Sequence, residues 1–196
     1  MSDLNPKTVA FVCGSAAMSG VEYSLLYLLQ RMDRTRWNPI VLCSQEGQLT
    51  ARCREIDVAT YRVKTPTQYS TSMRLRNDFR LPNPAALAWN SCALALASRS
   101  MVCSFRILKP RLVVTKGLLA HVYGGLAASL LGLPRIWHLQ DFISERHWCV
   151  NRWVFAMLAA RIPTRVIADG TPILGQLPLE VQARTRVVYN GVDTGV

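Results

Sequence analysis

The chain has 196 residues, half of them apolar and 18% charged, which is enough to bury an independent core and rules out an intrinsically disordered segment. Its formal net charge is +11, a field that attracts phosphates, anionic lipids or acidic glycans. The sequence holds neither a basic recognition helix nor stacking aromatics interleaved with basic residues, so no nucleic-acid partner is expected.

The opening residues Met1-Ser2-Asp3-Leu4-Asn5-Pro6 lack the basic start of a signal peptide. They lead into an apolar run, Thr8-Val9-Ala10-Phe11-Val12-Cys13, that reads as a strand. A small-residue loop spans 14–20. Val21, Leu25, Leu28, Leu29 and Met32 then recur at helical spacing, predicting a helix over 21–32. Strands are expected over 39–43 and 58–63, with a short helix over 48–56 between them. Residues 64–84 break the pattern with three prolines and several basic side chains, and read as a long loop of the kind that serves function in a compact domain. A long helix over 85–107, a strand over 111–115, a helix over 118–131 and a strand over 135–139 come next. A helix over 148–160 and a strand over 164–168 follow, then a short helix opened by Thr171-Pro172 and a last strand over 185–189. The apolar stretch 117–133 is broken by His121, Gly124, Gly125 and Gly132 and falls short of the roughly 20 residues a bilayer requires, so no spanning helix is expected.

Strands that alternate with helices, each strand a near-continuous apolar run, predict an α/β fold: a Rossmann-like, doubly wound parallel sheet covered on both faces. The six cysteines (Cys13, Cys43, Cys53, Cys92, Cys103 and Cys149) show no framework spacing and no CxxC pair, so neither a disulfide scaffold nor a zinc site is expected. Cys13 and Cys43 sit inside apolar runs and are expected to pack as small hydrophobes. Reduced thiols point to the cytoplasm.

In such a sheet ligands bind beyond the carboxyl ends of the strands, where strand order reverses. That places candidates in three loops. The first holds Gly14, Ser15, Ser19 and Gly20, with Glu22 just inside the helix; small residues let backbone approach a ligand, though a tight turn would read the same. Gly14 and Gly20 are not the dinucleotide fingerprint, and no Lys follows the second glycine as a P-loop requires. The second holds Lys116 and Gly117. The third holds His138 and Gln140 on one strand face, with Asp141 beyond; His138 reads as acid, base or donor, or equally as a satisfied core residue. A basic middle region, Arg80, Arg99, Arg106, Lys109, Arg111, Lys116 and Arg135, carries no acidic residue between Asp78 and Asp141.

The segments Ser19-Gly20-Val21-Glu22-Tyr23-Ser24-Leu25-Leu26, Pro110 through His121-Val122-Tyr123-Gly124-Gly125, Pro134 through Asp141, Arg165-Val166-Ile167-Ala168 and Val187-Val188-Tyr189-Asn190-Gly191-Val192-Asp193 together carry a resemblance. In that order the chain resembles the N-terminal domain of a GT-B fold, family 4 glycosyltransferase. The resemblance implies a retaining transferase whose N-terminal domain binds a glycan or lipid-linked acceptor, while a C-terminal domain binds the nucleotide-sugar donor. It implies no cofactor and no essential metal. Residues 1–190 would be the Rossmann-like acceptor-binding domain and 191–196 the start of a linker to a donor-binding domain, so this chain alone is expected to be inactive. The loop ending in Gly20 would line the cleft, and Asn190 would stand at its edge. His138 matches the first histidine of the family's Trp-His-x-His-Asp motif. Its second histidine, which contacts the transferring sugar, is Gln140 here, an amide still able to hold a sugar hydroxyl. Lys116 stands where Asn is common and would pair an anionic acceptor; Asp169-Gly170 stands where Ser is usual. The implied setting is cell-surface polysaccharide synthesis, with the basic region meeting an anionic membrane at its inner face. A non-catalytic module that binds a glycan or phosphate, and a sugar-nucleotide epimerase, are the other readings of the same architecture.

Overall fold

A computed structural model of the chain describes residues 5–74, 80–140 and 150–191. In chain order the elements are β1 (Lys7–Cys13), α1 (Gly20–Arg31), β2 (Trp37–Cys43), α2 (Gln48–Glu55) and β3 (Ala59–Arg62). Next come β4 (Ser72–Arg74), β5 (Arg80–Pro82), α3 (Pro84–Leu108), β6 (Leu112–Lys116), α4 (Leu118–Leu130) and β7 (Arg135–Leu139). The remainder is α5 (Val150–Arg161), β8 (Arg165–Ala168), α6 (Thr171–Leu174), α7 (Leu179–Gln182) and β9 (Thr185–Val187).

Seven strands form one sheet in the order β3-β2-β1-β6-β7-β8-β9, every neighbouring pair parallel. The chain first winds outward from β1 to β3, then crosses back to β6 and winds the other way. This is the Rossmann-like, doubly wound α/β sheet that the periodicity predicted, and its order reverses between β1 and β6.

Alternation along β1 explains why the strand reads as continuously apolar. Val9, Phe11 and Cys13 face α1 and α2, where Leu25, Leu29, Leu49 and Cys53 are buried against them. Ala10 and Val12 face α3 and α4, meeting Ala97, Met101, Phe105, Ala120 and Tyr123. Further along the second face, Trp137, Leu139, Val166 and Ala168 are covered by Phe155 and Ala159 of α5 and by Ile173 and Val181. Gly125 allows this closeness: a Cβ there would lie 2.6 Å from Ile162 Cγ2 and 2.9 Å from Trp137 Nε1. Cys13, Cys43 and Cys53 are free and buried, as small hydrophobes.

Two expectations change. Residues 64–84 are not one irregular loop. β4 and β5 pair antiparallel, Ser72 opposite Pro82 and Arg74 opposite Arg80, with residues 75–79 between them outside the described set. The stretch before them is fastened to α3: the Asn90 side chain accepts from Tyr69 N and donates to Tyr69 O, at 2.9 and 2.8 Å, and Trp89 Nε1 donates to Thr67 O at 2.9 Å. Such side-chain clamps carry no periodicity, which is why the sequence shows only a gap.

The second change concerns length. α3 has 25 residues, and an 18-residue stretch of it has a mean hydropathy of 1.3, so it is by length and composition apolar enough to cross a bilayer, a property the expectation drawn from 117–133 did not consider. Its fold explains the composition in part. Ala86, Ala93, Ala97, Met101 and Phe105 are buried at helical spacing, a stripe that packs on the sheet and on α4.

Candidate functional site

The reversal between β1 and β6 sets the site. Their carboxyl ends, Cys13 and Lys116, are register partners, and Gly14 N donates to Lys116 O at 3.0 Å, so the two loops leave the sheet side by side. Gly117 turns the second loop at φ +91, a conformation suited to glycine, and starts α4. Lys116 opposes His138 on β7, and β7 pairs with β8, which places Asp169 next to Leu139 through Asp169 N donating to Leu139 O at 3.1 Å.

Around Asp169 the sequence candidates converge. Its Oδ1 lies 2.6 Å from His138 Nε2, with the two side chains only 14% and 9% exposed. Its Oδ2 accepts from Gln140 Nε2 at 2.6 Å and from Asn190 Nδ2 at 2.8 Å. Asn190 Oδ1 in turn accepts from Ser24 Oγ of α1 at 2.8 Å. One carboxylate therefore ties β7, β8, the segment after β9 and α1 into a single network at the carboxyl end of the sheet. Gln140 Oε1 is buried and without a hydrogen-bond partner among the described residues, an acceptor left unsatisfied.

Electrostatics follow from burial. Lys116 is 2% exposed and its Nζ has no hydrogen-bond partner. Burial pushes its pKa down to about 8, while Cys13 and the carboxylates of Asp169 and Glu22 pull it back up. Burial also lowers the pKa of His138, and the Lys116 charge lowers it further against the raising pull of Asp169. Both directions leave His138 a neutral imidazole at pH 7, able to accept a proton or to hydrogen-bond a hydroxyl.

The remaining candidates separate. Glu22 is spent locally: Ser19 N donates to its Oε2 at 3.1 Å and Ser19 Oγ donates to the same oxygen, so the pair caps α1. Ser15 Oγ accepts from Ala17 N at 3.1 Å within the loop. Gly14, Ser15, Ser19 and Gly20 are exposed at the mouth of the crevice. Asp141 lies outside the described residues. In the sequence Asp169 stands out only as a departure from the family's usual Ser, and Ser24 only as part of a matching segment, neither as a site residue. For a site role Asp169 had a signal, an acid followed by glycine straight after an apolar strand, whereas Ser24 had none. Among the described residues no group of three His, Cys, Asp or Glu side chains could hold a metal ion.

Below the network runs a groove of about 590 Å3 on the α1 side of the sheet, lined by Phe11, Tyr27, Leu28, Val114, Ile167 and Tyr189 among others, with His138 and Asn190 also on its wall. α1 and α2 cover this face over β1 and β2, and among the described residues the groove lies beside them over β6 to β8.

No protein-family model matches the chain. No curated protein matches it in sequence. Solved structures do match in fold. Anabaena HepE in complex with UDP superposes at a TM-score of 0.70 with 18% identity, over 95% of this chain and 44% of that one. The lipopolysaccharide outer core galactosyltransferase WaaB gives 0.61 with 13% identity, over 94% and 46%. UDP-N-acetylglucosamine 2-epimerase from Rickettsia bellii gives 0.63 with 11% identity, over 95% and 45%. HepE and WaaB are GT-B glycosyltransferases, so the chain shares its Rossmann-like fold with one half of such enzymes. It spans a little under half the length of each of these structures.

Proposed function

We propose that the chain is the acceptor-binding half of a retaining glycosyltransferase of the family 4 type, acting with a nucleotide-sugar donor held mainly by a second domain. The observation that supports it is the carboxylate-centred network. His138, Gln140 and Asn190 are fixed on Asp169 at the carboxyl ends of β7 and β8, beside Lys116 and the bare backbone of Gly14 and Gly117. Neutral imidazole, amide and carboxylate side chains held rigid by one another are suited to sugar hydroxyls, which both donate and accept. In this reading His138 and the Gln140 Oε1 face the transferring sugar, Asp169 orients both, and Lys116 and Asn190 stand towards the acceptor. The acceptor is a glycan or a lipid-linked saccharide of cell-surface polysaccharide synthesis, and the enzyme works at the cytoplasmic face of an anionic membrane. Residues 1–190 are the acceptor-binding domain, and transfer requires a donor-binding domain acting with it.

Calorimetric titration of this chain tests the reading. A set of phosphorylated and lipid-linked oligosaccharides is expected to bind saturably, with affinity lost in Asp169→Ala and Lys116→Met, while UDP-sugars bind weakly. Absence of binding across the acceptor set would remove the reading.

A sugar-nucleotide epimerase is the second reading, favoured by the fold shared with UDP-N-acetylglucosamine 2-epimerase. It requires this domain to hold the nucleotide sugar tightly by itself, and tight UDP-sugar binding in the same titration would put it first. A non-catalytic glycan-binding module would bind the acceptors equally but show no catalysis in any longer form of the protein.

A further inference from the structure

We propose that the outward face of α3 docks on the surface of an anionic phospholipid bilayer. The inference rests on the lipid-linked acceptor reading for its purpose, but its observations are separate from the sugar site.

α3 has two faces with different chemistry. The inward stripe, ending in Met101 and Phe105, is buried on the sheet. The opposite stripe runs Trp89, Cys92, Leu96, Arg99, Cys103, Arg106, at alternating spacings of three and four residues that keep one helix face. A solvated helix normally turns charged and polar residues outward on such a stripe. Here Trp89 is 48%, Leu96 49% and the neighbouring Ile107 79% exposed, and from residue 84 to residue 98 the helix carries no charged side chain at all.

Among the described residues the apolar anchors are flanked mainly by cations; the Glu46 carboxylate, which acts on Arg62, is paired with Arg54 at 2.6 Å. Arg62 and Lys64, at the end of β3 and just beyond it, line shallow hollows against Leu96, Arg99 and Ser100. Arg99, Arg106 and Lys109 are exposed further along the helix. Among the described residues none between Asp57 and Asp169 is acidic. Tyr69 is 58% exposed and tilts against Trp89, ring centroids 6.2 Å apart, which places two amphipathic rings at one end of the ridge. Tryptophan, leucine and isoleucine with interleaved arginines match what an interfacial helix uses, apolar side chains entering the headgroup region and cations meeting lipid phosphates. A soluble polyanion would explain the arginines but not the exposed Trp89, Leu96 and Ile107. The buried inner stripe keeps α3 in the domain, so the helix lies on the membrane rather than across it.

Co-sedimentation with lipid vesicles at low salt tests this. The protein is expected to pellet with vesicles of phosphatidylglycerol and phosphatidylcholine, and to bind pure phosphatidylcholine vesicles at least about tenfold more weakly. Arg99→Glu with Arg106→Glu should reduce binding to the anionic vesicles roughly 25-fold, about fivefold per arginine. Leu96→Glu should reduce it about tenfold. All three positions are exposed, so the variants retain the fold, checked by circular dichroism. Arg165→Glu with Arg186→Glu, exposed residues off α3, makes the same change in net charge and should leave binding within about twofold. Equal loss in that control, binding unchanged in the α3 variants, or no binding to anionic vesicles overturns the proposal. Binding to heparin without binding to vesicles overturns it too, assigning the face to a soluble polyanion. No sugar donor or acceptor enters the measurement, so a failure to bind acceptors leaves the vesicle result standing, and the converse holds.

Discussion

Lys116 and His138 stand directly opposite each other on β6 and β7, two potential cations on one face of the sheet at its carboxyl end. The Lys116 charge makes protonation of His138 more costly, and the Asp169 carboxylate, 2.6 Å from His138 Nε2, offsets this. The balance among these three side chains sets the protonation of the site.

The His138 titration should report that balance in two directions. Burial and Lys116 lower its pKa, and Asp169 raises it. Replacing Lys116 with Met should therefore raise the His138 pKa, and Asp169→Asn should lower it. Imidazole nitrogen shifts followed by NMR against pH measure both. The same direction in the two variants would refute this electrostatic account. Asp169→Ala should also cost stability, about 2 kcal/mol in urea unfolding, because the side chains of His138, Gln140 and Asn190 lose a common acceptor.

Lys116 should leave a mark on stability above neutral pH. Its folded pKa is about 8 against 10.5 for an unburied lysine, so between those values the unfolded chain binds more protons than the folded one. Stability attributable to this group therefore rises as pH increases from 8 towards 10.5. The folded state tolerates a buried ammonium below pH 8 at a cost of roughly 3 kcal/mol. Other groups titrate in the same range, so the measurement is the difference between wild type and Lys116→Met. The variant should be the more stable at pH 7, with the gap closing by about pH 10. A gap independent of pH would show that the Lys116 charge is compensated in place.

Much of this architecture was legible in the sequence because parallel strands buried on both faces must be apolar throughout, as in residues 8–13. The helices that cover them repeat their own apolar positions, as Leu25 and Leu29 do. The rule that ligands sit beyond the carboxyl ends of parallel strands pointed to the loops holding Lys116, His138 and Gln140, which the fold brings to one end of the sheet. Asp169 as the centre of the network was not legible. Its meaning depends on β8 lying beside β7, a pairing of residues about thirty apart that no local pattern records. Asn90 clamping the Tyr69 backbone escaped notice for the same reason. Glu22 was legible as a residue beside the ligand loop but not as a cap: the structure adds its bonds to Ser19, while its carboxylate also acts on Lys116.

The close contact at Gly125 should be intolerant of even one methyl group. An alanine Cβ would meet Ile162 Cγ2 at 2.6 Å and Trp137 Nε1 at 2.9 Å, atoms of buried side chains with little room to give. Gly125→Ala should destabilise by about 1–3 kcal/mol through overpacking. Gly20→Ala is the matched control, since nothing lies within 4 Å of its Cβ position. It should be neutral or stabilise by up to about 1 kcal/mol, as the unfolded chain loses freedom. Urea midpoints compare them, and equal effects would mean that α4 does not seat on Trp137 as closely as described.

The acid limb of stability should depend on His121. This imidazole is 3% exposed, stacks on Trp137 with ring centroids 5.0 Å apart, and shares a hydrogen bond of 2.7 Å between Nδ1 and Thr115 Oγ1. Burial, with a smaller contribution from His138, pushes its pKa down to about 3 from 6.5. Between those values the unfolded state takes up a proton that the folded state refuses, so stability falls as pH drops below 6.5. The loss reaches on the order of 4 kcal/mol by about pH 3 if this group acts alone. His121→Asn keeps a polar side chain for Thr115 but cannot ionise, so it should be less stable than wild type at pH 7 yet lose less on acidification. The two unfolding free energies should converge as pH falls from 6.5 towards 4. Parallel acid limbs would mean that His121 charges within the fold at an ordinary pKa, and that the pocket formed by Thr115 and Trp137 admits water.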